Sequence, residues 1–259
     1  MGAMDPAFVV LGAVVGTLVG MTGVGAGSLV TPALVMSGVP PVMAVGTDLA
    51  YAMVSKSFGA LVHGAQRTLD LRVVGLLAAG SVPAAALTIA VLAATGGHAN
   101  GGLITAALAL ALTLTALALL AGRARVAALA TRYEARIAPT RTALTVAAGA
   151  LLGVLVTVSS IGAGALGAVL LVALHPSMPA ARIAGVDIAH AVPLTLVAGL
   201  GHLWLGNVDF ALALNLLAGS VPGIVVGSLL AGRLPDRLVR RLLAFVLLYA
   251  GARLALASL

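Results

Sequence analysis

Apolar residues follow one another along this chain in long blocks, parted by short stretches that are charged or rich in glycine and proline. The blocks fall at about 7–37, 43–63, 72–95, 102–122, 143–175, 183–204, 208–231 and 240–257. A helix needs about 20 apolar residues to cross a hydrocarbon core. The first and fifth blocks exceed a single crossing, and glycine interrupts both in mid-run. The interruptions read Gly23-Val24-Gly25-Ala26-Gly27-Ser28 and Ser159-Ser160-Ile161-Gly162-Ala163-Gly164. Each long block is therefore expected to be two short helices meeting at a break inside the membrane.

The pattern repeats. Gly25-Ala26-Gly27 corresponds to Gly162-Ala163-Gly164 at a shift of 137. Beyond the breaks the shift is 139, and Gly46-Thr47-Asp48-Leu49-Ala50 falls on Gly185-Val186-Asp187-Ile188-Ala189. The same shift carries His63 to His202, Asp70 to Asp209 and Gly80-Ser81-Val82-Pro83 to Gly219-Ser220-Val221-Pro222. Four anchors in one order mark a duplication. Its limits are 7–122 for the first repeat and 143–259 for the second, with an Arg-rich linker at 123–142. Met1–Pro6 (MGAMDP) reads as an expression scar set apart from both.

Charge orients the repeats. The linker carries Arg123, Arg125, Arg132, Arg136 and Arg141, which places it in the cytoplasm by the positive-inside rule. If each broken block enters the membrane and returns, Arg67, Arg72, Arg182 and the cluster Arg233–Arg241 also fall inside. Of the 14 Lys and Arg residues, all but Lys56 and Arg253 then lie on the cytoplasmic side. Eight plain spans would instead put Arg233–Arg241 outside. The expected fold is thus an all-α polytopic membrane protein with two inverted-topology repeats. Each has about five membrane segments and a glycine-broken first helix, and both termini are extracytoplasmic. Inverted repeats with discontinuous helices are a recurrent transporter plan, with the site near mid-membrane where the breaks meet.

Composition agrees. Hydrophobic residues make up 61% of the 259 and charged residues 8%, against roughly 25% charged in a soluble domain. Mean hydropathy is +1.19. The net charge of +7 is accounted for by topology, and no basic stripe with aromatics points to nucleic acid. Cysteine is absent, which excludes disulfides, thiol catalysis and Cys-based metal sites. No cofactor is expected.

Three stretches carry a family resemblance: GMTGVGAGSLVTPAL (20–34), AVGTDLAYAMVSKSFGALVHGAQRTLDL (44–71) and AGVDIAHAVPLTLVAGLGHLWLGNVDF (184–210). Together they resemble the sulfite exporter family named for TauE and SafE, over essentially the whole chain from about residue 8. The resemblance implies transport of small anions, notably sulfite and organosulfonates such as sulfoacetate, across the cytoplasmic (inner) membrane without ATP hydrolysis.

Lys56 is the sharpest single residue, because an ionisable group within a span is costly and usually faces a cavity or a partner. It is a candidate to bind sulfite or sulfonate oxygens together with Gly25, Ala26, Gly27 and Ser28, whose N–H groups would open a half-helix. Such N-termini favour anions. Thr47 and the second break, through Ser159, Ser160, Gly162, Ala163 and Gly164, complete the expected cradle. The bland alternative for Lys56 is neutralisation of Asp48 or Asp187. Asp48 and Asp187, as repeat partners, are candidates to couple anion movement to protons, or else N-caps of their own helices. His190, which replaces Tyr51 in the second repeat, is a candidate donor to the anion or a packing histidine. His63 and His202 are expected to be structural, near opposite membrane surfaces. Gly12, Gly16 and Gly20 suit close helix crossing.

The leading functional expectation is a secondary transporter that moves small sulfur-containing anions by alternating access, in the direction of export and with proton coupling. A cation/proton antiporter using Asp48 and Asp187 is the alternative. An intramembrane hydrolase, pairing Ser28 with His63 or His190, is the enzyme reading that it displaces. Expected partners are a small anionic substrate, the lipid bilayer and a second copy of the chain in a homodimer.

Overall fold

A computed structural model describes residues 5–22, 27–65, 67–95, 101–230 and 236–257. Gly25 and Ala26 of the expected cradle lie outside the described residues. The described chain is helical throughout: α1 (Pro6–Thr22), α2 (Gly27–Met36), α3 (Pro41–Ala65), α4 (Leu71–Ala94), α5 (Gly101–Ala121), α6 (Arg123–Arg132), α7 (Glu134–Ile137), α8 (Arg141–Ser159), α9 (Ala165–Leu174), α10 (Ala180–Trp204), α11 (Phe210–Leu230) and α12 (Asp236–Ala257). A single 3₁₀ turn, Ala138–Thr140, joins α7 to α8. Among the described residues, five helical segments are long and apolar enough to cross a membrane. α3 is also long, with 25 residues, but carries Asp48 and Lys56 within it. The chain is a polytopic, all-α membrane protein.

The second long block breaks where glycine interrupts it. α8 ends at Ser159, Ser160 turns into the left-handed region at φ 57°, and α9 resumes at Ala165. Gly164, at φ 136° and ψ −106°, occupies backbone space that a side chain would forbid. Two hydrogen bonds restart the helix across this corner: Gly167 N–H donates to Gly162 O at 2.8 Å and Ala168 N–H to Gly164 O at 2.9 Å. α2 begins at Gly27, so Gly27 and Ser28 form its first turn. Pro6 opens α1, and Asp5 accepts from Ala7 N–H at 2.9 Å. The end of the MGAMDP segment is thus built into the first helix.

Helix pairs are set by small residues. A Cβ at Gly12 or Gly16 would collide with the backbone of Leu216 or Ser220, so α1 lies directly on α11 and runs parallel to it. Gly149 and Gly153 meet the backbone of Leu77 and Ser81 in the same manner, pairing α8 with α4. Dispersion from such close approach substitutes for the hydrophobic effect in lipid. α3 and α10 pack antiparallel: Gly185 faces Thr68, Gly59 faces Ile188 and Gly199 faces Leu49. Exposed apolar side chains, among them Leu87, Leu214, Leu229 and Phe245, form the surface that lipid would cover. Trp204, at the end of α10 and 75% exposed, is placed where an aromatic anchor sits at a membrane interface.

The segments that join these helices collect at two ends. Residues 70–73, 138–145 and 175–178 surround one cavity, and residues 5–8, 37–43 and 209–215 surround another. The start of α3 lies at the second and the residues just past its end lie at the first. Its 25 residues separate the two by about 37 Å at 1.5 Å per residue.

Candidate functional site

Asp48 and Asp187 sit one full repeat apart and in equivalent places. Neither caps its own helix: α3 begins at Pro41 and α10 at Ala180, so both carboxylates lie two turns inside. Prolines at 40, 41 and 179 start these helices earlier than the Gly-Thr-Asp and Gly-Val-Asp motifs suggest, since proline fits a helix entry. The capping aspartates are instead Asp70, which accepts from Val73 N–H at 3.3 Å, and Asp209, which accepts from Leu212 N–H at 2.9 Å.

Each interior aspartate is turned toward the half-helix of its own half of the chain. Asp48 is fully buried and accepts from the Thr31 hydroxyl on α2 at 2.5 Å. Asp187, also buried, faces the backbone of Gly164 and Gly167 at the start of α9. A carboxylate there gains from the positive end of the helix dipole. One oxygen of each, Oδ1, is buried without a hydrogen-bond partner. Such orphaned acceptors are rare in folded interiors and call for a reason.

Lys56 joins the two halves. Its ammonium donates to the carbonyl of Ala163 in the second break at 3.0 Å. It lies in the field of Asp187 first and Asp48 second, but no ion pair within 4 Å links it to either among the described residues. Simple neutralisation of one aspartate is therefore not its geometry. The first break reaches the same place: a Cβ at Gly27 would strike the Ser160 carbonyl. Ser160 Oγ is buried and turned toward Asp48. Gly27, Lys56, Asp48, Ser160, Ala163, Gly164 and Asp187 thus converge on one junction. Ser28 is buried in the adjoining first turn of α2.

Other residues from the expected cradle are committed elsewhere. The Thr47 hydroxyl accepts from Asp209 N–H at 3.0 Å and fixes the entry to α11. Ser159 donates to Leu155 O at 2.5 Å and accepts from Ile161 N–H at 3.1 Å, so it holds the corner of the break. Gly162 supplies the turn, at φ 138°. His190 stands beside the junction: its Nε2 lies 2.9 Å from Ser81 Oγ on α4, and its Nδ1 is buried without a partner. Its repeat partner Tyr51 faces Ser220, the repeat partner of Ser81, with the phenol oxygen buried.

His202, in the last turn of α10, is fully buried, with Nε2 2.9 Å from Thr157 O. His63 lies at the end of α3 with Nδ1 2.8 Å from Thr68 Oγ1. The described hydrogen bonds of His190 and His63 go to Ser81 and Thr68. Among the described residues there is no group of three or more His, Asp or Glu fit to hold a metal ion.

Thr31 and Ser81 were not singled out by sequence, although both hold a central side chain. Ser81 carried a usable signal, as a hydroxyl repeated at Ser220 inside two apolar spans. Thr31 carried none, since its partner lies 17 residues away on another helix.

A lipid-facing helical bundle that encloses unpaired charged and polar groups where two broken helices meet is the architecture of a membrane transporter. Comparison with known proteins gives the same class. The family model described as sulfite exporter TauE/SafE matches residues 8–254, and the chain belongs to that family. It is 38% identical over 255 residues to the probable membrane transporter protein YjnA of Bacillus subtilis (strain 168), covering 97% of this chain and 100% of that relative. No solved structure matches the chain. The protein is a multi-pass membrane transporter.

Proposed function

We propose that the protein is a secondary transporter of small sulfur-containing anions, sulfite and organosulfonates such as sulfoacetate, in the cytoplasmic membrane. It exports them by alternating access between two inverted repeats. The observation that carries this reading is the junction itself, where Lys56 on the first repeat reaches the break of the second. An ammonium there, beside half-helix N–H groups, offers an anion both charge and directed donors. The parallel α1–α11 and α4–α8 pairs, with α3 antiparallel to α10, support inverted repeats.

Charge balance makes the transport proton-coupled. With Asp48 and Asp187 ionised, the junction holds two negative charges against one positive. An entering anion would meet repulsion in a medium of low dielectric constant. Protons taken up by the two carboxylates leave Lys56 as the uncompensated charge and turn both groups into donors. Proton uptake by the carboxylates thus accompanies anion binding at the junction.

The orphaned Oδ1 atoms of Asp48 and Asp187 favour one second reading, a cation/proton antiporter. Flux in proteoliposomes separates the two. The anion reading predicts sulfite and sulfoacetate flux that responds to a pH gradient, with the gradient response lost in Asp48→Asn. Sodium or potassium exchange for protons, without anion flux, would establish the antiporter instead.

A further inference from the structure

Away from the junction, the end of the bundle that holds the Arg-rich linker contains a cavity of about 330 Å³. Asp70, Arg72, Arg141, Thr142, Thr145 and His175 line its polar side. Its donors are only partly used. Arg141 gives one guanidinium nitrogen to Glu134 at 3.1 Å, while its Nε is buried with no partner. His175 Nε2 lies 3.2 Å from Thr145 Oγ1. The cavity also receives the start of α8, whose N-cap Thr140 makes no side-chain cap bond. Its first-turn N–H groups add a positive dipole end to the two arginines.

The opposite end of the bundle supplies an internal control. A cavity of about 460 Å³ there is built from the matching positions of the other half. At the shift of 139, Asp70 corresponds to Asp209, Arg72 to Ala211, Val73 to Leu212 and Leu76 to Asn215. Asp70 and Asp209 play the same capping role in both, so their charge cancels from the comparison. What differs is Arg72, Arg141 and His175 on one face, against a lining that adds Asp5 and has no Lys, Arg or His among the described residues on the other. Packing of the duplicated fold does not require that difference, since one copy does without it.

We propose that the cavity at Arg72, Arg141 and His175 is a second binding site, for small oxyanions of the sulfite, sulfate and sulfonate type, on the cytoplasmic face. There it gathers cargo ahead of the central junction. The gathering role rests on the anion-carrier reading above, whereas the site itself does not. A basic vestibule raises the local concentration of an anion and its rate of entry. With none opposite, loading is favoured from one face.

Sulfate is the probe, titrated calorimetrically into the full-length protein in detergent, with the KM of sulfite flux then measured from each face in oriented vesicles. Arg72→Gln is the decisive variant, because Arg72 is exposed and forms no ion pair within 4 Å among the described residues. Arg141→Gln also severs the tie to Glu134 and serves as the second. The expected result is sulfate binding weakened roughly twofold to fivefold in Arg72→Gln, as for loss of one exposed charge contact. Binding persists in Lys56→Ala. The KM at the arginine-bearing face rises by the same factor, and the KM at the other face does not move. Equal sulfate binding in the native protein and Arg72→Gln would overturn the site. Weakened binding with an unchanged KM at both faces would overturn cargo loading and leave an oxyanion effector site. If the native protein moves no anion while sulfate binding still depends on Arg72, the carrier reading fails and the site stands.

Discussion

Lys56 donates to a carbonyl 107 residues away rather than to the nearest carboxylate, a geometry distinct from a contact ion pair, in which mutual neutralisation offsets the cost of desolvation. The residue types at the junction were readable from the sequence, because Lys56, Asp48, Asp187 and Ser160 are conspicuous in apolar surroundings. Their assignments were harder. Thr47 and Ser159 are hydroxyls in the right segments, yet both satisfy backbone groups, and only three-dimensional contact reveals that. At the opposite extreme is His175, which sequence did not single out. Burial, and after it the nearby Arg141, pushes its imidazole below the ordinary histidine range, with Asp70 opposing. It is therefore neutral at pH 7 and takes up its proton only below the ordinary histidine range. Arg72, Arg141 and Asp70 face it in the cavity, so its protonation adds a third positive charge there. Sulfate affinity at this site should rise as pH falls below the ordinary histidine range, and His175→Gln should flatten that rise. The contribution of His175 to stability has the opposite sign. A histidine with a depressed folded pKa takes up its proton more readily when unfolded, so its contribution is present above the unfolded pKa, about 6.5, and is lost as pH falls.

Among the elements, the breaks matter most. Glycine at alternate positions weakens a helix, and the interruption of the second block was legible for that reason. The structure adds how the interruption is held: a left-handed Ser160, two glycines at φ near 137° and the Ser159 hydroxyl bridging the corner. Gly164→Ala forces a side chain into a glycine-only conformation, at a cost of roughly 1–3 kcal/mol. Because α9 starts at this point, the cost falls on the junction. Flux is expected to drop at least tenfold while the helical circular dichroism spectrum is retained. Gly38→Ala is the matched control: φ is 90° and nothing lies within 4 Å of the added methyl. Its strain stays in a loop and flux should be near native. Comparable losses in the two variants would mean that general destabilisation, rather than the break, limits transport.

At the scale of the whole molecule, period and charge together were enough to anticipate an all-helical membrane protein whose fifth apolar block is two short helices. Hydropathy alone would have missed it, because α2 and α9 are only 10 residues long and merge with their neighbours into single apolar blocks. The pairing α1–α11 and α4–α8 was not legible, since it joins each first helix to the fourth helix of the other half. Only the glycine spacing hinted that some close crossing existed. The absence of cysteine allows a direct test of orientation. Single cysteines at Ser37 and Ser177, exposed turns at opposite ends of the bundle, should label from opposite sides in intact cells. Ser177 should react only from the cytoplasm. Labelling of both from one side would rule out the inverted arrangement.

The central claim is that an anion binds at the junction of the two breaks through Lys56. Sulfite flux into proteoliposomes, measured side by side for the native protein, Lys56→Arg and Lys56→Ala, tests it most directly. The expected result is flux in the native protein, reduced flux in Lys56→Arg and a loss of at least tenfold in Lys56→Ala, with all three proteins equally folded. That loss corresponds to about 1.4 kcal/mol, the low end for a hydrogen bond to a charged group. Undiminished sulfite flux in Lys56→Ala would contradict the claim and move the anion site elsewhere in the molecule.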